Sequence, residues 1–391
     1  MAGLTFRNCE HEEIMSEIVT LLQQLVAINS INPDLVSDGP GEAAIAQFIA
    51  NWLSRAGVEV EIDEPEPGRP NVIGRVRGSG GGRSLLLNAH TDTVGVAGME
   101  RPHEPIIRSN RLYGRGAYDM KAGLAAIMMT VANAKKLSLC GDVIITAVAD
   151  EEYASIGTSS IIKRCRADAA IVTEPTALDV YVAHKGFTWL EVETTGVAAH
   201  GSRPDLGLDA ITKMGKFLIA LEELDNKLRA HPSHPLLKSG SLHASLIMGG
   251  QELSSYPERC LLSIERRTVP GETRESVEAE IQSIFTRIVA ADPAFQASLK
   301  TTLVRDPFEV SPDEEIVQLV QRAAHDLLGQ RPAIDSSAAW MDSALLASAG
   351  IPTVIFGPGG EGAHAVVEWA DLEQLERSAQ ILLNVIREFC A

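Results

Sequence analysis

Five short clusters in this chain carry side chains that can bind a metal ion or move a proton. His90-Thr91-Asp92 follows the strand-like run Ser84–Leu87. Open α/β sheets bind ligands at the C-terminal ends of their strands, and a metal-bound imidazole usually passes its second N–H to a carboxylate such as Asp92. A strand-end turn with polar capping is the plainer reading. In Gly114-Arg115-Gly116-Ala117-Tyr118-Asp119-Met120-Lys121, Asp119 stands at the entry to a helix-like segment. An N-cap accounts for it equally well, although the flanking glycines favour a close backbone approach. Asp150-Glu151-Glu152 comes directly after the apolar run Val143–Val148. Three adjacent carboxylates repel one another, so they are either solvated or offset by a cation. In the second case one Glu binds metal and the other stays free as a base. Thr173-Glu174-Pro175 and the Gly-rich stretch Phe356–His364 also end apolar runs, and His364 alone reads as a polar loop residue.

Taken jointly, the clusters say more, because their polar residues recur at the ends of strand-like runs. His90, Asp119, Glu152, Glu174 and His364 supply two imidazoles and three carboxylates. That donor set suits Zn²⁺, with Co²⁺ or Mn²⁺ as substitutes. If Asp119 bridges two ions, each ion gains one His and one further carboxylate. Open positions then remain for water, and a two-metal site activates water and polarises a carbonyl together.

The elements that must position these residues follow from periodicity. Helical spacing covers 12–27, through Ile14, Ile18, Leu21, Leu22 and Leu25, and again 42–56, 121–134, 315–328 and 372–390. Strand-like runs cover 58–62, 71–76, 84–88, 143–148, 169–172 and 353–356, with the Gly/Pro-rich stretches 64–70 and 77–83 as punctuation. Strands alternating with helices predict an α/β domain with a mixed, largely parallel sheet flanked by helices. From about residue 185 the texture changes to β-α-β-β-α-β over 187–194, 208–224, 241–248, 259–266, 276–289 and 297–303, the order of a ferredoxin-like α+β sandwich. The expected organisation is a catalytic domain in two parts, 1–184 and 305–391, with an inserted domain at 185–304.

Composition bounds the function. A chain of 391 residues is expected to form two or three domains at about 150 residues each. The net charge of −18 disfavours nucleic acid and anionic membrane as partners, since both need a basic footprint. No apolar run approaches the length of a membrane span, and MAGLTFRNCEHEE lacks the basic-then-apolar order of a signal peptide. Five widely spaced Cys indicate neither a disulfide framework nor a thiolate zinc site. A cytoplasmic location is the expectation.

These motifs together resemble the di-zinc amidohydrolases and peptidases that include acetylornithine deacetylase, succinyl-diaminopimelate desuccinylase, aminoacylase and the bacterial glutamate carboxypeptidases. The resemblance covers nearly the whole chain. It implies that His90 and Glu174 hold one zinc, that Glu152 and His364 hold the other, and that Asp119 bridges them from a cis Asp119–Met120 peptide. It further implies that Asp92 supports His90 and that Glu151 is the general base, taking a proton from the attacking water and passing it to the leaving amine. In the inserted lid, Ala199-His200-Gly201-Ser202-x-Pro204 matches the segment whose His stabilises the oxyanion, across a homodimer in dimeric members. Glu265-x-Arg267-x-x-Pro270-Gly271-Glu272 matches the segment whose Arg binds the substrate carboxylate. From the residues alone, His200 reads as a surface loop His and Arg267 as a solvated strand residue. Ser255 stands where family members often carry Asn, and Glu174 in place of Asp leans toward the deacetylase and aminoacylase branch. The implied activity is hydrolysis of the amide bond of a small N-acyl amino acid with two Zn²⁺ per subunit. The rivals are a dipeptidase or carboxypeptidase on the same scaffold and a non-catalytic, metal-free binding protein.

Overall fold

The computed structural model describes residues 17–391; Cys9, Ile14 and the MAGLTFRNCEHEE segment lie outside the described residues. In chain order the elements are α1 (17–26), α2 (Ala43–Arg55), β1 (Glu59–Glu66), β2 (Arg69–Val76), β3 (Leu85–His90), β4 (Ile106–Arg108), β5 (Arg111–Tyr113), α3 (Ala122–Ala134), β6 (Val143–Val148), α4 (Ile156–Arg164), β7 (Ala169–Val172) and β8 (Val180–His184). There follow β9 (Gly186–Thr195), α5 (Ala210–Ala230), β10 (Ser241–Gly249), β11 (Arg259–Thr268), α6 (Arg274–Ala291), β12 (Gln296–Arg305) and β13 (Phe308–Glu309). The chain ends with α7 (Glu315–Leu328), β14 (Ile334–Ser337), α8 (Ser343–Ser348), β15 (Thr353–Ile355), β16 (Gly360–Glu361), β17 (Trp369–Asp371) and α9 (Leu372–Phe389).

Two compact units result. The first comprises residues up to Val182, Val310–Asp335 and Met341–Ala391; the second comprises Ala183–Glu309 and Ser336–Trp340. In the first, the sheet runs β1-β2-β6-β3-β7-β15. Pairings β3–β6, β3–β7 and β7–β15 are parallel, whereas β1–β2 and β2–β6 are antiparallel. The sheet is thus parallel at its centre, as the unbroken apolar runs Val143–Val148 and Ala169–Val172 require, because every residue of both is buried. Helix α3 is apolar on almost all sides and packs against β3, β6 and α9, whose own apolar stripe faces inward.

The register decides where the chemistry falls. His90 lies beside Val148 and Asn88 beside Val172. The chain therefore leaves β3, β6 and β7 at one common edge, which carries Asp92, Asp150–Glu152 and Glu174.

The second unit is the expected β-α-β-β-α-β sandwich. Its sheet order is β10-β11-β9-β12, with every neighbour antiparallel. Leu190, Val192, Phe217, Leu262, Ile264 and Phe285 form part of its core under α5 and α6.

Some elements differ from the sequence reading. The stretch 64–70 is mostly strand, because Pro65 lies at the register shift of edge strand β1, Pro67 in the turn, and Pro70 at the start of β2, ahead of the pairing with β6 that begins at Val72. Helices α4 and α8 and the small sheet β16-β17-β5-β4 have no counterpart in the periodicity. The strands of that sheet run only two or three residues, and α4 is rich in Gly, Ser and Thr.

Gly123 tests the packing of α3 on the site strands. A Cβ there would lie 2.0 Å from the Thr173 carbonyl oxygen at the end of β7. In an open helix Gly→Ala gains about 0.8–1.0 kcal/mol. Here Gly123→Ala is expected to destabilise, by about 1–3 kcal/mol, as overpacking does. Urea unfolding reads the sign, and a stabilised variant would contradict this packing.

Candidate metal centre and active site

The first unit brings seven of the nine candidate residues together. His90 Nε2 lies 3.2 Å from Asp119 Oδ1 and 3.7 Å from Glu174 Oε1. His364 Nε2 lies 3.0 Å from Glu152 Oε2 and 3.5 Å from Asp119 Oδ2. Two candidate ligand groups thus form, His90–Asp119–Glu174 and Asp119–Glu152–His364, each with its donor atoms within 4.8 Å of one another. Asp119 belongs to both, one oxygen toward each imidazole. The peptide bond Asp119–Met120 is cis.

Non-ligand carboxylates hold these loops. Asp92 is buried and its Oδ1 lies 3.5 Å from His90 Nδ1. It also accepts hydrogen bonds from the backbone N–H groups of Glu151 (3.1 Å) and Glu152 (3.2 Å) and from Asn32 Nδ2 (2.8 Å). One residue therefore orients the imidazole, whose Nδ1 lies 3.0 Å from the Asp92 backbone oxygen as well as near its carboxylate, and with its side chain pins the Glu151-Glu152 turn. Glu368 does the same for the Asp119 loop. It is buried, pairs with Arg115 Nη1 at 2.6 Å, and accepts from the N–H groups of Gly116, Tyr118 and Asp119 at 2.9–3.1 Å. Gly116 is left-handed at φ 76°, and a Cβ there would meet Thr93 at 2.7 Å. The close approach suspected from the glycines is therefore real.

Asp150 is the one of the three adjacent carboxylates that a cation of the chain itself offsets. Its cation is Arg69, whose Nη2 lies 3.0 Å from Asp150 Oδ1. Arg69 also makes a bidentate pair with buried Glu42 at 2.6 and 2.8 Å, and Asn32 Nδ2 donates to Asp150 Oδ1 at 2.9 Å. Sequence reasoning missed Asn32, Glu42, Arg69 and Glu368. No local pattern marks them, since each acts on a residue far away in the chain.

Protonation follows from crowding. Burial, then the neighbouring Glu174, pushes the Glu151 carboxyl well above its usual range. Burial, then Asp119, pushes Glu152 up to about 7, and burial is likewise the main cause raising Glu174. Asp119 goes the other way: against its burial, the two imidazoles hold it below the ordinary carboxylate range. Bonds to Asp119 and Glu152 lift His364 to about 10. Carboxylates that raise one another and imidazoles drawn into the charged form are what a set of cation ligands does when its own side chains must supply the countercharge. The residues therefore fit divalent metal ions.

His200 and Arg267 belong to the second unit. His200 is exposed, with Nδ1 2.8 Å from Ser202 Oγ, and forms a β-bridge with Ser255. Arg267 sits on β11 beside Arg266, and strand alternation separates the two. Arg266 is buried against Glu272 and Glu280, whereas the Arg267 side chain is 31% exposed.

A mixed sheet whose parallel strand ends converge on a shared carboxylate and two imidazoles defines a class, the metal-dependent amide hydrolases. The family description "Peptidase family M20/M25/M40" matches residues 86–388. N-formyl-4-amino-5-aminomethyl-2-methylpyrimidine deformylase of Bacillus subtilis is 30% identical, over 97% of this chain and 96% of its own length. Acetylornithine deacetylase of Proteus mirabilis is 28% identical, over 95% and 96%. The crystal structure of aminopeptidase PepT from Bacillus cereus superposes with a TM-score of 0.80 at 20% identity, covering 96% of this chain and 99% of that one. The chain belongs to peptidase family M20/M25/M40.

Glu368 gives the test of the supporting shell. Glu368→Gln keeps the shape but puts an NH₂ where an acceptor is needed. The expected outcome is a folded protein whose affinity for Zn²⁺ or Co²⁺ falls about 10–100-fold, the usual scale for such partners. Calorimetric metal titration reads it, and an unchanged affinity would remove Glu368 from this role.

Proposed function

We propose that this protein hydrolyses the amide bond of a small N-acyl amino acid, using two Zn²⁺ ions per subunit. The observation that carries the reading is the Asp119 carboxylate, each of whose oxygens faces a different imidazole. His90 and Glu174 complete one metal position, Glu152 and His364 the other, with Co²⁺ or Mn²⁺ able to substitute. When bound, such a metal pair supplies Lewis-acid polarisation of the carbonyl and lowers the pKa of water.

The chain's own residues do the rest. Glu151 is the general base. Its N–H is fixed by Asp92, and its buried carboxyl holds a proton far more firmly than a solvated one. It takes a proton from the attacking water and returns it to the departing amine nitrogen. Asp92 keeps His90 oriented. His200 donates to the oxygen that gains charge as the carbonyl carbon becomes tetrahedral. Arg267 binds the substrate carboxylate as a fork.

The names of the two curated relatives, a deformylase and a deacetylase, support removal of a short acyl group over peptide cleavage. A homodimer through the second unit is supported by β10, an edge strand with Leu246 68%, Ile247 52% and Met248 67% exposed. Unpaired apolar edge strands invite a partner strand. Among the described residues no helix is long and apolar enough to cross a membrane; a cytoplasmic setting is part of the proposal.

Amine release from N-acetylornithine, succinyl-diaminopimelate, other N-acyl amino acids, an N-formyl aminomethylpyrimidine and dipeptides, with Zn²⁺ or Co²⁺ and again with chelator, tests the reading. Chelator-sensitive turnover of an N-acyl amino acid is expected; preference for dipeptides would move the protein to the peptidase branch. Glu151→Ala should cut turnover by at least about 10²–10⁴-fold, the span of general-base catalysis, with both metals retained. Near-normal turnover would strip Glu151 of its role.

A further inference from the structure

We infer that Glu265, backed by Trp189 and Phe187, is a positioning residue that sets Arg267 to take a substrate carboxylate end-on, through its two terminal Nη groups. The inference rests on the proposed reading of Arg267 as the carboxylate-binding residue and deepens it.

Strand pairing builds the device. Across β9 and β11, Glu265 stands directly opposite Trp189 and Arg267 directly opposite Phe187. Residues two apart on a strand share a face, so the four side chains form one square. Arg267 Nε donates to Glu265 Oε1 at 2.6 Å, and Trp189 Nε1 donates to Glu265 Oε2 at 2.9 Å. Both oxygens of Glu265 are thus engaged, one on the guanidinium and one on the indole. The guanidinium carbon lies 5.2 Å from the centre of the Phe187 ring, within cation–π range.

Three constraints leave one mode of binding. The Nε edge of Arg267 is taken by Glu265, so a side-on fork through Nε and one Nη is closed to a ligand. Phe187 lies against one face of the guanidinium. The two Nη groups donate no hydrogen bond among the described residues, and the side chain is 31% exposed. A planar carboxylate can meet them as a parallel pair of charge-assisted bonds. The surroundings favour an anion. Lys185 bonds a carbonyl, Ser239 O at 2.7 Å, and its ammonium is lowered by burial first and then by Arg267 and Arg266.

The chemistry of Glu265 makes the idea testable by non-additivity. A carboxylate is acceptor-only at both oxygens, whereas Gln offers one acceptor and one NH₂. In Glu265→Gln, either Arg267 or Trp189 faces an NH₂ with an N–H. Removing the indole N–H with Trp189→Phe lets Gln turn its oxygen to Arg267.

The experiment uses the metal-loaded full-length protein, its best N-acyl amino acid substrate and the carboxamide analogue that lacks the carboxylate charge. Glu265→Gln should raise KM for the acid about tenfold, the scale of one impaired charge-assisted bond. It should leave kcat within about twofold and the carboxamide unaffected, and the Glu265→Gln/Trp189→Phe pair should recover most of the loss. Calorimetric titration of the Glu151→Ala protein with the same two ligands reads the same discrimination as Kd, without turnover. Equal effects on acid and carboxamide would reduce Glu265 to a structural role. A normal Glu265→Gln beside a defective Arg267→Ala would overturn the positioning and leave Arg267 in place. An Arg267→Ala protein that still prefers the acid as the parent does would overturn the underlying reading of Arg267 and the positioning with it.

Discussion

Negative charge concentrated at one edge of the central sheet is the constraint the first unit answers to. Asp92, Asp119, Asp150, Glu151, Glu152 and Glu174 all stand on loops leaving β3, β6 and β7 or entering α3, and a protein interior cannot hold that many ionised carboxylates unpaired. The chain neutralises one of them itself, through the Arg69 guanidinium on Asp150. It settles Asp92 with an imidazole, an amide and two backbone N–H groups. Asp119, Glu152 and Glu174 are given only imidazoles, and Glu152 and Glu174 remain pushed above their usual range. The difference in treatment separates framework from working groups: carboxylates meant to stay fixed receive partners from the fold, and those proposed to hold cations do not.

Precision at the site comes from groups outside the proposed ligand set. Asp92 binds the β3 and β6 loops into one piece, and Glu368 gathers the backbone of the turn that presents Asp119. Both are buried and fully bonded. Moving a proposed ligand would therefore mean breaking several charge-assisted hydrogen bonds together, each worth about 1.5–3 kcal/mol. The same logic operates in the second unit, where Glu265 fixes Arg267 from a neighbouring strand position.

Much of this was legible in the sequence. Apolar runs such as Val143–Val148 and Ala169–Val172 coincide with strands because burial on both faces leaves no room for polar residues. The β-α-β-β-α-β order of the second unit could be read because β9, β11 and β12 are long enough, at ten residues each, to show their alternation. Most of the proposed metal ligands were visible because they follow such runs, and Asp119 because it stands at a glycine-flanked helix entry. What stayed hidden acts across distance. Asn32 reaches Asp150 over 118 residues, and Glu368 reaches the Asp119 loop over about 250; neither lies in a motif. Arg266 and Arg267 look alike on paper, and only the alternation of β11, with one face against α6, assigns them opposite duties.

The family match begins at residue 86, yet the countercharge for Asp150 comes from Arg69, itself gripped by Glu42 on the flank of α2. A polypeptide started at the matched boundary would retain every proposed metal ligand and the proposed base. It would also carry a buried aspartate stripped of its guanidinium, one residue from Glu151 and on the same turn. The segment outside the recognisable catalytic region is thus an electrostatic part of it, and the smallest working form of this enzyme is set by where its charges close rather than by where its motifs begin.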